Sequence, residues 1–463
     1  MARSTPLWQR LIWAVMFLLV CEGVIRKLVP SLQAQIYLLK DGTLVAAYIG
    51  FISSRLPTGI HLRAMAGLST LLLLSLAYFG IELFNPNSPS ILLSIVGFKN
   101  YLLYPPLAFI VPHMLSSSQD LERKLRKYAV IMIPFAGLGL LQFTLGPDHW
   151  INGYVSYDEE TVRYIAMFGV TDEKVRTTGT FSYPGGYTTF LTVMLYLGIG
   201  LAASKNWRFS GNLWPWTLAV VTVAAIFTTG SRAPIYATVI TAPVLLYIWS
   251  CRGIMSRGNV VKVGIACICI SIIVVLIAPE AIEVYQYRAG HSDDPIDRML
   301  SPLTEAYYAL TESPIIGAGL ASTHGSAVMI MGTRDYWWLD GKFVEQEGAR
   351  VLQETGVIGF ILVYAARIWL LMKAISLGAR FRTPLYAAMA GVIAGFFAQY
   401  LFLMVINWPT AGIYYWFAAG LLFAMYRLEL QEATTQLPAT VSRRHLGRQE
   451  GRRATPSSAV RSS

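Results

Sequence analysis

Twelve stretches of about twenty mostly apolar residues, separated by short polar segments, constrain this chain more than any other feature. They fall near 8–28, 32–53, 61–84, 90–113, 127–146, 184–204, 213–229, 233–250, 260–278, 354–373, 384–406 and 411–427. A helix rising 1.5 Å per residue needs a run of about that length to cross the hydrocarbon of a bilayer. Backbone groups in hydrocarbon find no water, so each run is expected as a helix that satisfies its own hydrogen bonds. The composition agrees: of 463 residues 55% are hydrophobic and only 14% charged, too apolar for a soluble chain of this length. The expected fold is an all-α polytopic membrane protein of about 12 transmembrane helices.

The first run, "LIWAVMFLLV", follows a basic start and is followed by "CEGVIRKLVP", not by a small-residue cleavage site, so a retained helix is expected. Lys40 and Asp41 interrupt the second run; its helix is read as weak, with a start at Gly42 and residues 30–41 folded back at the interface as the alternative. With the N-terminus inside, every loop on that side is basic, from Arg55 and Arg63 to the tail "RRHLGRQEGRR". The opposite loops at 85–89 and 407–410 carry no Lys or Arg, the positive-inside pattern. The net charge of +11 therefore reads as topology, with anionic membrane lipids as its partner and nucleic acid excluded.

The resulting division is 1–146 for the first five helices, 147–183 for an outer loop and 184–278 for helices six to nine. A large outer loop over 279–353 separates these from helices ten to twelve over 354–431, and 432–463 reads as a disordered basic cytoplasmic tail. Cys21, Cys251, Cys267 and Cys269 show no metal-ligand spacing with histidine, so neither a disulfide framework nor zinc is expected, and no cofactor is indicated.

Loops as long as the two outer ones are usually functional or disordered, and these are rich in Trp, Tyr, Gly and charge pairs. Outward basic residues gather there: Arg163, Lys174 and Arg176 in the first, Arg288, Arg298, Arg334, Lys342 and Arg350 in the second. Arg232 stands in the turn "TTGSRAPIYA" with no acidic neighbour in sequence. Arginine suits bidentate phosphate binding and keeps its charge at low dielectric. Such a cluster points to a lipid phosphate or diphosphate; the alternatives are pairing with loop carboxylates, snorkelling, and for Arg176 and Arg232 helix-end capping from guanidinium to carbonyl. Glu22 and Arg26 lie four apart on one helix face, and Lys99 interrupts the fourth run. Pairing with one another or with Asp41 across helices is the reading favoured, with a substrate role as the alternative.

"VRTTGTFSYPGGYTTFL", "TTGSRAPIYA", and the pair "TESPIIGAGLAST" and "RVLQETGVIGF" together resemble the O-antigen ligase and O-antigen polymerase superfamily. "EGVIRKLVP", "GFKNYLLYPPLAF" and "NWPTAGIYYWFAAGLL" are similar to segments of its polysaccharide-biosynthesis members, so the resemblance covers most of the chain. It implies a metal-independent glycosyltransferase of the bacterial cytoplasmic (inner) membrane, both termini cytoplasmic, acting at the outer face. The implied substrate is an undecaprenyl-diphosphate-linked oligosaccharide, the acceptor a glycan or lipid hydroxyl, with other polysaccharide assembly proteins as further expected partners.

Under that resemblance Arg176 and Arg232, with Arg350, are expected at the diphosphate, whose developing charge needs preorganised cations. Family ligases place a histidine nine residues before the glutamate that matches Glu354; here that position is Glu345. Three general-base candidates remain: Glu345, ranked first as a partly buried carboxylate, Glu347 and His324. On a helix Glu347, Arg350 and Glu354 would share a face, so a salt-bridge ladder is an equal alternative. The aromatics of "RDYWWLDG" suit either sugar stacking or an interfacial belt. A transporter or flippase is the competing function class, but the halves show no repeat and the longest loop is on one side. A structural scaffold would not need clustered outer arginines.

Overall fold

The computed structural model describes residues 5–435 apart from 55–63, 154–174, 206, 208–212, 278, 280–281, 283–294, 333–334, 336–337 and 340–341. The described residues are predominantly helical. The only strands among the described residues are β1 (Trp338–Leu339) and β2 (Lys342–Phe343), an antiparallel two-stranded hairpin.

Helices α1 (Leu7–Leu28), α2 (Gln33–Ser53), α3 (Ala66–Glu82) and α4 (Ile91–Leu102) come first. The short α5 (Leu107–Ile110) and α6 (Ser118–Thr144) follow. Next are α7 (Pro184–Ser204), α8 (Trp214–Thr228), α9 (Ala233–Cys251) and α10 (Arg257–Ile277). The chain then adds α11 (Pro295–Glu312) and α12 (Gly325–Met331), and closes with α13 (Glu347–Gly378), α14 (Pro384–Gln399) and α15 (Pro409–Thr435).

Among the described residues, five helical segments are long and apolar enough to cross a membrane: Pro30–Ser53, Ile91–Met114, Ser118–Thr144, Pro184–Ser204 and Glu347–Gly378. Proline opens α7 and α14 in their first turn, where its missing N–H costs nothing. Every residue from Leu385 to Gln399 is buried, as expected of a helix apolar all round at the centre of a bundle. Ile52, Phe84 and Leu276, at the rim, are at least 75% exposed. The four cysteines are free.

Two sequence expectations are corrected, for α2 and for the tenth run. The α2 helix is not weak at Lys40 and Asp41: it runs unbroken from Gln33, because both charges find ionic partners. The fourth run is matched by the helical segment Ile91–Met114, within which Tyr104-Pro105-Pro106 divides α4 from α5, since a proline ring disfavours helical geometry at the residue before it. The tenth begins at Glu347, earlier than its apolar run, and is broken at Gly356, whose φ of 63° and ψ of −168° are open only to glycine.

Candidate functional site

The break in α13 is where residues 315–319, from the middle of the 279–353 segment, meet its C-terminal end. Ala318 N–H donates to the Gln353 carbonyl at 2.7 Å and Gly319 N–H to the Glu354 carbonyl at 3.1 Å, while Val357 N–H returns a bond to the Ile315 carbonyl at 3.3 Å. Carbonyls orphaned by the break are thus capped by "IIGAG". A Cβ on Gly317 would lie 2.5 Å from the Glu354 oxygen, so its lack of a side chain permits the approach. Asn85 and Asn87 clamp the same loop by donating side-chain N–H bonds to the Ile316 and Gly317 carbonyls at 2.9 and 3.0 Å.

The second pair of motifs also converges. Thr177 N–H donates to the Thr228 carbonyl at 3.1 Å and their hydroxyls bond at 2.7 Å. Arg176 Nε donates to the Thr229 carbonyl at 3.0 Å, three residues before Arg232. That bond caps the C-terminal end of α8, the role weighed as the alternative for this residue. Arg232 stands half-buried at the start of α9. Buried Gln142 of α6 shapes the intervening turn, accepting from Thr178 and Gly179 N–H at 3.1 and 2.7 Å and donating to the Gly179 carbonyl at 2.9 Å.

The turn at 407–410 joins the two groups. Trp408 lies against Gly185, where a Cβ would sit 2.5 Å from the ring, and the Asn407 backbone lies beside His324, where it favours the charged ring. His324 Nδ1 accepts the Ser326 N–H at 3.1 Å as the cap of α12. Burial, with the Lys99 and Arg350 cations, pushes His324 down to about 4, so the ring is neutral at pH 7. Ala321, just before it, holds a φ of 58°, an uncommon conformation for a residue with a side chain.

The three glutamates separate by environment. Glu347 is fully buried, ion-paired with Arg367 and accepting N–H bonds from Val405 and Ile406 at 2.5 and 3.0 Å. Glu354, also fully buried, accepts from the Tyr101 hydroxyl at 2.8 Å and the Thr323 hydroxyl at 2.5 Å. Arg350 donates to the Val344 and Thr323 carbonyls at 3.1 and 3.2 Å. The shared-face ladder is therefore not how Glu347 is used: its partner is twenty residues on, in the next stretch of α13. Glu345 is exposed, not partly buried as expected, because it precedes the helix.

Beside it stands Glu305 of α11, whose Oε2 accepts both the Glu345 and Gln346 N–H groups at 2.8 Å. Burial lifts the Glu305 carboxyl above the usual carboxylate range and the Glu345 charge adds to the lift, against those two N–H bonds and Arg350. Sequence reasoning missed Glu305, since "LTEAYY" carries no motif, and missed Arg367, whose charge inside an apolar run was the available signal.

The charges on α1, α2 and α4 pair with one another, two of the pairs across helices and one within α1. Lys99 meets Asp41 at 2.7 Å, Lys40 meets Glu22 at 2.6 Å and Arg26 meets Glu22 at 3.4 Å. The Tyr104 hydroxyl adds a bond to Asp41 at 3.0 Å. Arg163, Lys174, Arg288, Arg334 and the Tyr336-Trp337 pair lie outside the described residues, and of Arg298, Trp338 and Lys342 the backbone alone is described. Compared with known proteins, the chain matches no family model and no curated sequence.

Proposed function

We propose that the protein is a membrane-embedded glycosyltransferase that moves a glycan from a polyprenyl diphosphate, of the undecaprenyl type, to an acceptor hydroxyl, as a polymerase or a ligase. In this reading the twelve apolar runs are twelve spans, both termini are cytoplasmic, and the site lies at the outer face of the bacterial inner membrane. The observation that carries it is the junction of two motif pairs through the 407–410 turn: the Arg176 and Arg232 segments on one side, the capped break of α13 with His324 on the other.

The chemistry follows from the groups. The acceptor oxygen gives its proton to a carboxylate and attacks the anomeric carbon. The bond from that carbon to the diphosphate oxygen breaks, and the diphosphate leaves with the electron pair. Arg232 and Arg176 stabilise the leaving charge, worth most in a water-poor site. Glu345, exposed and next to Glu305, is the base; a carboxylate pair lets one member hold a proton that the other releases. His324, neutral and bonded through Nδ1, orients the loop and ranks behind it. Glu347 and Glu354 hold the break in α13 and do not touch substrate.

A broken helix is also a transporter feature, which keeps the flippase as the second reading. Here, however, the break is filled by the chain's own 315–319 segment. Reconstitution with an undecaprenyl-diphosphate oligosaccharide separates the two. The proposal expects longer or transferred glycan; translocation of unchanged lipid-linked oligosaccharide, with no new glycosidic bond, establishes the transporter instead.

A further inference from the structure

We infer that Arg26 and Lys27, at the end of α1, form a second anion-binding half facing the Arg176 and Arg232 segment, so that the lipid diphosphate sits between them; this rests on the reading above. Gly23 makes the junction, since a Cβ there would lie 2.3 Å from the Phe181 carbonyl carbon. Arg26 and Lys27 follow three and four residues on, on the same helix face. Both reach the segment: Arg26 Nη1 donates to the Ser182 hydroxyl at 3.2 Å, and Lys27 Nζ to the Thr178 hydroxyl at 2.9 Å. Thr178 is two residues from Arg176.

Among the described residues the local charges do not balance: Arg26, Lys27, Lys40 and Lys99 are four cations, and Glu22 and Asp41 are the two carboxylates paired with them, which leaves an excess of two positive charges among these groups. Glu22 is shared between Lys40 and Arg26, and among the described residues Lys27 meets only a neutral hydroxyl. Among the described residues, Arg26 Nε and the Thr180 hydroxyl are buried without a hydrogen-bond partner at the same junction. Surplus charge and unused polar atoms in an apolar setting are costly unless an anion completes them. A glycosyl diphosphate diester carries two negative charges and several acceptor oxygens, matching both deficits. A snorkelling lysine would point to the lipid surface, whereas Lys27 is directed inward at Thr178. Ordinary lipid phosphates offer the same oxygens but one charge each.

Native mass spectrometry of the full chain in detergent, with undecaprenyl diphosphate, undecaprenyl monophosphate and phosphatidylglycerol as probes, tests this. The wild type should bind the diphosphate at least tenfold more tightly than either lipid with a single phosphate. Lys27→Met, which keeps the apolar stem, should erase that preference, and Lys27→Arg should restore it, with unchanged melting in both. If Lys27→Met and Arg26→Gln bind the diphosphate like the wild type while Arg232→Ala is weakened, α1 is packing only; the inference falls and the function stands. If the wild type prefers no lipid over phosphatidylglycerol, the functional reading falls and takes the inference with it.

Discussion

Replacing Glu347 distinguishes a catalytic carboxylate from one that holds the bundle together. Its carboxylate is fully buried, pairs with Arg367, itself 4% exposed, and accepts two backbone N–H groups ahead of the 407–410 turn. Removing one partner of a buried ion pair strands the other and costs about 3–5 kcal/mol. Glu347→Gln keeps an oxygen for the N–H groups and falls at the lower end, about 3 kcal/mol. Glu347→Ala also orphans two buried donors at about 1–3 kcal/mol each, for a total of about 5 kcal/mol or more. Arg367→Met combined with Glu347→Gln removes both charges, and the double variant should regain at least about 2 kcal/mol over the sum of the singles. Unfolding in mixed detergent micelles, followed by far-UV circular dichroism, reads these differences. Stability within about 1 kcal/mol of wild type for Glu347→Gln, together with abolished transfer, would refute the structural assignment and return Glu347 to the catalytic candidates.

Other outcomes follow from the same geometry. Gly356→Ala forces a side chain into a glycine-only conformation with its Cβ 2.0 Å from the Ile315 carbonyl oxygen, and should cost about 3 kcal/mol or more. The control Gly42→Ala, inside α2 with open space around it, should be neutral or stabilising by up to about 1 kcal/mol in the same titration. His324 is held at about 4 against an ordinary value of 6.5, so below pH 6.5 the unfolded chain takes up a proton that the folded one refuses. Stability should therefore fall by up to about 3 kcal/mol as pH drops from 7 towards 4, and His324→Gln should flatten that slope in a pH series of unfolding midpoints. Asp41→Asn, which strands Lys99 and weakens the Tyr104 bond, should destabilise by about 3 kcal/mol, and adding Lys99→Met should recover much of it.

Helices were legible from their apolar runs: those at 184–204 and 213–229 coincide with α7 and α8 to within a residue, although α8, at 15 residues, is shorter than the segments long enough to cross a membrane. The break at Gly356 was not legible, since its cause lies forty residues upstream in the chain that caps it. Charge pairing was half legible. Glu22 with Arg26 follows from spacing four, whereas Lys40 with Glu22 and Glu347 with Arg367 depend on how helices lie against one another. The same limit hid Glu305, whose only signal is a tertiary one, two N–H groups from the segment that carries Glu345.

The most direct test of the central claim is the amount of free undecaprenyl diphosphate released per glycosidic bond formed by the purified protein, with Arg232→Ala and Glu345→Gln measured alongside. The account predicts one diphosphate per bond for the wild type, with release and bond formation falling together by at least a hundredfold in both variants while they stay folded, since each loses a transition-state contact. Lipid-linked oligosaccharide recovered intact from a folded, lipid-binding wild type would contradict it.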